Sequence, residues 1–256
     1  MAKKPTAATS ARQAKIDAAR RKSGGGANRI VVGAVVAVLA IVAVVAGVVI
    51  TESNKQKRVG TSTAVPAGAG AMGEGFVANK DVQLVAGAPT LDIYEDFQCP
   101  ACAEFERAMG PTIKGLADDG KIKLVYHLKT FLDANLRTTH SLVMGNAAMC
   151  AADAGKFQTF HDTVYANMPA QEGQGWTSAQ TERFAEEAGI TGEAKDAWST
   201  CVDERTYATY VESTEESSSK AGVNATPTIR LAGTTLDLNA VRDPAGLVAA
   251  VEAATK

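Results

Sequence analysis

The chain carries no excess of either charge. Its 26 Lys and Arg against 28 Asp and Glu leave a formal net charge of -2, so its overall electrostatics give no reason to expect nucleic-acid binding. No internal repeat is present, which sets aside a repeat architecture. Histidine is scarce, at 3 residues, and cysteine little commoner, at 4. Beyond one short cysteine pair, Cys150, Cys201, His127, His140 and His161 form no second short-range ligand pair of the kind zinc requires. No metal and no cofactor is therefore expected.

What is present is unevenly distributed. Lys3, Lys4, Arg12, Lys15, Arg20, Arg21, Lys22 and Arg29 are opposed only by Asp17, among Ala, Ser and Gly that offer no apolar face. Residues 1–29 are thus predicted to be a disordered basic arm. Residues 30–50 contain no charged or strongly polar side chain, and about 21 residues at about 1.5 Å rise match a hydrocarbon core about 30 Å thick. Their Val, Ile and Leu side chains favour insertion by roughly 4–8 kcal/mol. A cleavable signal peptide would have a shorter apolar region, of about 7–15 residues. The Arg20-Arg21 pair suggests a twin-arginine signal, but Lys22-Ser23-Gly24-Gly25-Gly26 after it fits that reading poorly. A single transmembrane helix over 30–50 is expected. The positive-inside bias places the N-terminus in the cytoplasm and everything after Thr51 outside, as a single-pass protein of the cell membrane. Residues 51–75, rich in Gly and small side chains from Thr61 onward, read as a flexible linker. One folded domain is expected over 76–256.

Within that domain, Val82-Gln83-Leu84-Val85 and Leu91-Asp92-Ile93-Tyr94-Glu95 are predicted strands, separated by a turn at Gly87-Ala88-Pro89. A helix follows from Pro100, a third strand covers 122–128, and the patterns are helical over about 136–221. Gly110-Pro111 is a point of kinking or interruption in the first helix. Strand patterning returns at Thr228-Ile229-Arg230-Leu231 and Thr235-Leu236-Asp237-Leu238, joined through Ala232-Gly233-Thr234, before a closing apolar helix. The order strand, helix, strand, helical block, two strands, helix is an α/β thioredoxin-like fold with an inserted α-helical subdomain, preceded by the membrane helix.

The chemistry centres on Cys99-Pro100-Ala101-Cys102. Pro100 suits the first helical position, because its missing N–H has no intrahelical partner there, and this makes Cys99 the N-cap. A sulfur at that place faces the positive end of the helix dipole and free backbone N–H groups, which stabilise the thiolate. Cys102 lies nearly one turn further in, within reach of the Cys99 sulfur, with Phe105 and Met109 expected beside it on the inward face. The pair reads as redox-active rather than as a structural link or half of a metal site. Cys150 and Cys201, about 51 residues apart, read as a structural disulfide that stabilises by about 4 kcal/mol in the chain-entropy account. An electron relay between the two pairs is the alternative, but neither residue stands at an activating helix start. Thr226-Pro227 precedes a strand, and spacing alone reads it as a strand-start proline, with the cis form open to it.

Tyr94-Glu95-Asp96-Phe97-Gln98-Cys99-Pro100-Ala101-Cys102, together with Ala225-Thr226-Pro227-Thr228, resembles the DsbA-like protein disulfide oxidoreductases, in particular the membrane-tethered actinobacterial type. The resemblance spans about residues 76–256. It implies a catalytic Cys99 and Cys102, an active-site helix starting at Pro100 and Ala101, and a cis-Pro227 beside the cysteines. It also implies a Thr226 backbone that pairs with an incoming peptide and a helical insertion carrying a second disulfide. The implied partners are reduced secreted or cell-envelope proteins and a quinone-linked membrane reoxidant, either a DsbB-like protein or a vitamin K epoxide reductase homologue. Disulfide donation leads; a reductase or isomerase of the same fold and a non-catalytic binding or chaperone module are the alternatives. One position departs from the pattern. Many relatives carry a buried Glu or Asp six residues before the first cysteine, where this chain has Ile93. Asp92 and Asp96 flank the region. Asp92 points to the opposite face, and Asp96 reads as a solvated or helix-capping carboxylate at least as readily as a catalytic one.

Overall fold

The structure is a computed structural model that describes residues 62–241 and 243–256. The basic arm over 1–29, the membrane helix expected over 30–50 and the linker as far as residue 61 lie outside the described residues. Among the described residues, no helix is long and apolar enough to cross a membrane.

Five strands form one sheet in the order β1-β3-β2-β4-β5. They are β1 (Phe76–Val77), β2 (Thr90–Glu95), β3 (Lys123–Leu128), β4 (Thr228–Leu231) and β5 (Thr234–Thr235). The central pair β2/β3 is parallel, with Ile93 opposite Tyr126 and Glu95 opposite Leu128, while β1 on β3, β4 on β2 and β5 on β4 run antiparallel. A parallel pair needs a crossover, and α1 (Pro100–Asp118) supplies it. Alternation along β2 sends Leu91, Ile93 and Glu95 to one face, all essentially without solvent contact. Burying Leu91 and Ile93 contributes about 1.5–3 kcal/mol each.

The sequence-based expectations fail locally in three places. No strand forms at 82–85. The position beside β3 is taken by Phe76 and Val77, and the Asn79 side chain donates to the Ala117 and Ile122 carbonyls (3.0 and 2.8 Å) while accepting from the Leu124 N–H (2.9 Å). Val85 is left half exposed. The first helix is not interrupted at Gly110-Pro111 but runs through Pro111, which lies on its exposed side. The last strand is shorter than its pattern, covering only Thr234–Thr235. Its turn is Ala232-Gly233, both left-handed at φ 50° and 80°, as a two-residue hairpin turn of the I′ type requires.

Residues 62–75, read from composition as flexible, are tied to the domain in the structure. Ser62 Oγ donates to the Thr206 carbonyl (2.7 Å), the Gly73 N–H to Ser213 Oγ (2.7 Å) and the Tyr210 hydroxyl to the Glu74 carbonyl (2.7 Å). Gly68 adopts φ 130°, and a Cβ there would stand 2.6 Å from the Phe76 ring. The small side chains that suggested a loose segment are what let it lie close.

Between β3 and β4 come six helices: α2 (Phe131–Leu136), α3 (His140–Asp153), α4 (Phe157–Ala166), α5 (Ser178–Glu187), α6 (Glu193–Glu204) and α7 (Ala208–Lys220). Helix α3 is their centre, packed on α4, α6 and α7. Trp198 of α6 donates its ring N–H to the Ala147 carbonyl (3.0 Å), and Cys150 of α3 is disulfide-bonded to Cys201 of α6. Helix α4 packs on α1, α7 on β3, and the closing helix α8 (Pro244–Ala254) on α1. Asp243 caps α8 by accepting from the Gly246 N–H (2.8 Å).

Candidate active site

Cys99 is the N-cap of α1 with an extended backbone (φ -81°, ψ 114°), and Pro100 opens the helix. Both cysteines are free. Cys99 keeps 7% of its surface exposed and Cys102 none, while Pro100 and Ala101 between them are exposed. A partner can therefore reach the first sulfur and not the second. The Thr226–Pro227 peptide bond is cis, and the Thr226 carbonyl accepts from the Cys99 thiol at 3.6 Å. The loop carrying Thr226 and Pro227 is held at its base by Lys129. This fully buried ammonium pairs with Glu215 of α7 (2.9 Å) and donates to the Val223 carbonyl (2.9 Å).

Electrostatics separate the two sulfurs. A hydrogen bond from the Cys102 thiol lowers the Cys99 pKa to about 6 against the opposing effect of burial, helped by the Thr226 side chain and the Cys102 and Ala101 N–H groups. Burial pushes Cys102 the other way, well above an ordinary thiol, reinforced by the neighbouring Cys99 and Glu95. A thiolate at the mouth and a protonated thiol behind it make an attacking or leaving sulfur backed by a resolving one.

Asp96 is fully buried, not solvated. One oxygen accepts from Ser141 Oγ (2.6 Å) and the Gln98 N–H (2.9 Å), the other from the Leu132 N–H (3.3 Å). Burial raises it to about 7 despite these bonds. Gln98 extends the network to Asp133 (2.8 Å) and Ser141 (2.7 Å), so the segment leading into α1 is fastened to α2 and α3. Asp92 lies on the opposite face, 2.9 Å from His127 Nε2.

Three residues at the site escaped the sequence reading. Ile93 is fully buried, and the carboxylate missing there stands two residues later on the same face, as Glu95. Alternation counted forward from Ile93 could have found it. On α1 the buried face runs Cys102, Glu106, Met109, Ile113, whereas Phe105 is only half buried. The fourth residue after Cys102 therefore turns inward rather than the third, and a glutamate does not advertise burial. His161 of α4, fully buried, places Nε2 2.7 Å from Glu95 Oε1 and Nδ1 3.0 Å from Asp162 Oδ1. Burial opposes charge on this ring, but Glu95 and Asp162 outweigh it and its pKa is raised. Burial pushes Glu106 up to about 8. No local pattern marks His161, because its neighbours come from β2 and α1.

A thioredoxin family model matches residues 85–253. Comparison with curated proteins returned no match. Among solved structures, oxidised DsbA of Mycobacterium tuberculosis is 30% identical over 67% of this chain and 88% of that one, with a TM-score of 0.56. Reduced DsbG of the same organism is 31% identical over 66% and 82%, TM-score 0.56. The thiol-disulfide oxidoreductase MdbA of Actinomyces oris is 26% identical over 66% and 83%, TM-score 0.57.

Proposed function

This chain belongs to the DsbA-like thiol-disulfide oxidoreductases of the thioredoxin family, and we propose that it is a membrane-tethered, extracytoplasmic donor of the Cys99–Cys102 disulfide to secreted and cell-envelope proteins. The observation that carries the direction is the contrast between the sulfurs: a Cys99 thiolate stabilised at the start of α1 favours the reduced pair, and so makes the oxidised pair a strong acceptor of electrons.

A substrate thiolate attacks Cys99 Sγ. The Cys99–Cys102 bond breaks, a mixed disulfide forms, and Cys102 leaves and takes up a proton. The second substrate thiolate then attacks the substrate sulfur of that mixed disulfide, closing the substrate's own bond and releasing Cys99 as its stabilised thiolate. Two electrons have passed to the enzyme. The cis Thr226–Pro227 loop, whose Thr226 carbonyl faces Cys99, is the surface for the substrate backbone. Reoxidation falls to a quinone-linked membrane protein, DsbB-like or a vitamin K epoxide reductase homologue.

Trapping tests the mechanism. Cys102→Ser keeps the reactive sulfur and loses the escape from a mixed disulfide, so adducts that collapse on reduction accumulate on non-reducing gels. Cys99→Ser gives none. Adducts through Cys102 in the Cys99→Ser protein would reverse the roles, and adducts in neither would favour a binding module. Placement is tested separately with protease added to spheroplasts, which is expected to remove epitopes after Thr51 and spare the N-terminus. A protected C-terminal domain rules the topology out.

A further inference from the structure

Behind Cys102, one ligand atom each from Glu95, Glu106 and His161 lie within 4.8 Å of one another, and all three residues are buried. The ion pair seen there is incomplete. It occupies one Glu95 oxygen, while Glu95 Oε2 and Glu106 Oε1 are buried without a hydrogen-bond partner among the described residues. The Tyr165 hydroxyl, on the next turn of α4 from His161, is buried and unpartnered as well. Unanswered buried carboxylate oxygens are costly. His161 is also oriented from outside. With Asp162 accepting the Nδ1 proton at 3.0 Å, Nε2 stands 2.7 Å from Glu95 Oε1, a contact that one proton bridges when no metal is bound. A carboxylate that holds the far nitrogen of an imidazole is the usual outer partner of a metal-bound histidine.

We propose that Glu95, Glu106 and His161 form a binding site for one divalent transition ion, with Asp162 orienting His161. One imidazole and two carboxylates are the donor set of Zn2+ or Mn2+, with ligand distances of about 2.0–2.2 Å for zinc. The dication balances both carboxylates at one point. A cavity of about 530 Å³ between α1 and α4 has Glu106, Asp162 and Tyr165 in its wall, which gives the ion an approach that avoids the Cys99 face. The site is independent of the direction in which the cysteines exchange electrons.

The test uses the full-length chain in mild detergent with Cys99–Cys102 oxidised, so that neither sulfur can bind metal. Equilibrium dialysis against Zn2+ with metal analysis is expected to find one ion per chain, and the melting temperature is expected to rise with the logarithm of free Zn2+. Glu106→Gln removes a ligand and Asp162→Asn the outer partner; the second is expected to weaken binding about 10–100-fold, the first at least as much. Asp162→Asn changes a half-exposed side chain, which keeps the test open if Glu106→Gln does not fold. Absence of stoichiometric zinc overturns the proposal and leaves the cluster balanced by protons. Zinc that binds equally well to Asp162→Asn, or to a folded Glu106→Gln protein, overturns it too, because the ion then lies elsewhere.

Discussion

Cys99/Cys102 and Cys150/Cys201 sit in one domain and differ in what the chain does for a sulfur anion. Cys99 stands before the first turn of α1, where the Cys102 thiol and the backbone N–H groups of Cys102 and Ala101 lower its pKa. Cys150 lies near the end of α3 and Cys201 within α6, where helix interiors have no free N–H to offer. The first pair is separated by two residues, one of them a proline that fixes the helix start. The second closes a loop with a sequence separation of 51. On the proposed function, one sulfur at a helix start with its partner one turn inside is the arrangement for exchange, and a long loop closed between two helices is the arrangement for a structural bond.

The largest effect expected from this contrast is on stability. Replacing Cys150 and Cys201 together by Ser removes a long-loop constraint of about 4 kcal/mol, so urea unfolding is expected to shift by about that amount while disulfide exchange persists wherever the protein stays folded. A loss of exchange without a loss of stability would give the second pair a redox role.

A smaller effect concerns pH. The Cys99 pKa is held at about 6 in the fold, against about 8.5 for an unfolded thiol. The thiolate's contribution to the stability of the reduced protein is therefore full above the unfolded value and is lost as pH falls through about 6. Alkylation of Cys99 is expected to titrate with a midpoint near 6. Thr226→Val removes the side-chain hydroxyl that helps to hold the Cys99 pKa down, and the midpoint is expected to rise. An unmoved midpoint excludes the Thr226 side chain from the site's electrostatics.

Much of this was legible in the sequence because it is local. Cys99, Pro100 and Cys102 state their own geometry, since a proline directly after a cysteine, a few residues beyond a strand, fixes where the helix starts. The alternation of β2 and β4 and the helical block between them also follow from patterns shorter than twenty residues. What stayed hidden depends on distant chain segments meeting. Residues 62–75 look loose until Thr206, Tyr210 and Ser213 are beside them, and 82–85 looks like a strand until Phe76 and Val77 occupy its place. Asp96 looks exposed until Ser141 closes over it. Glu95, Glu106 and His161 come from β2, α1 and α4, and carboxylates read one at a time are surface residues.

The account rests on Cys99/Cys102 being an oxidising pair, and the equilibrium of the purified protein with defined ratios of reduced and oxidised glutathione tests that directly. A stabilised Cys99 thiolate predicts a potential between about -200 and -120 mV, the range in which a pair donates its disulfide. A potential of about -270 mV or lower, that of a dithiol poised as a reductant, would contradict it.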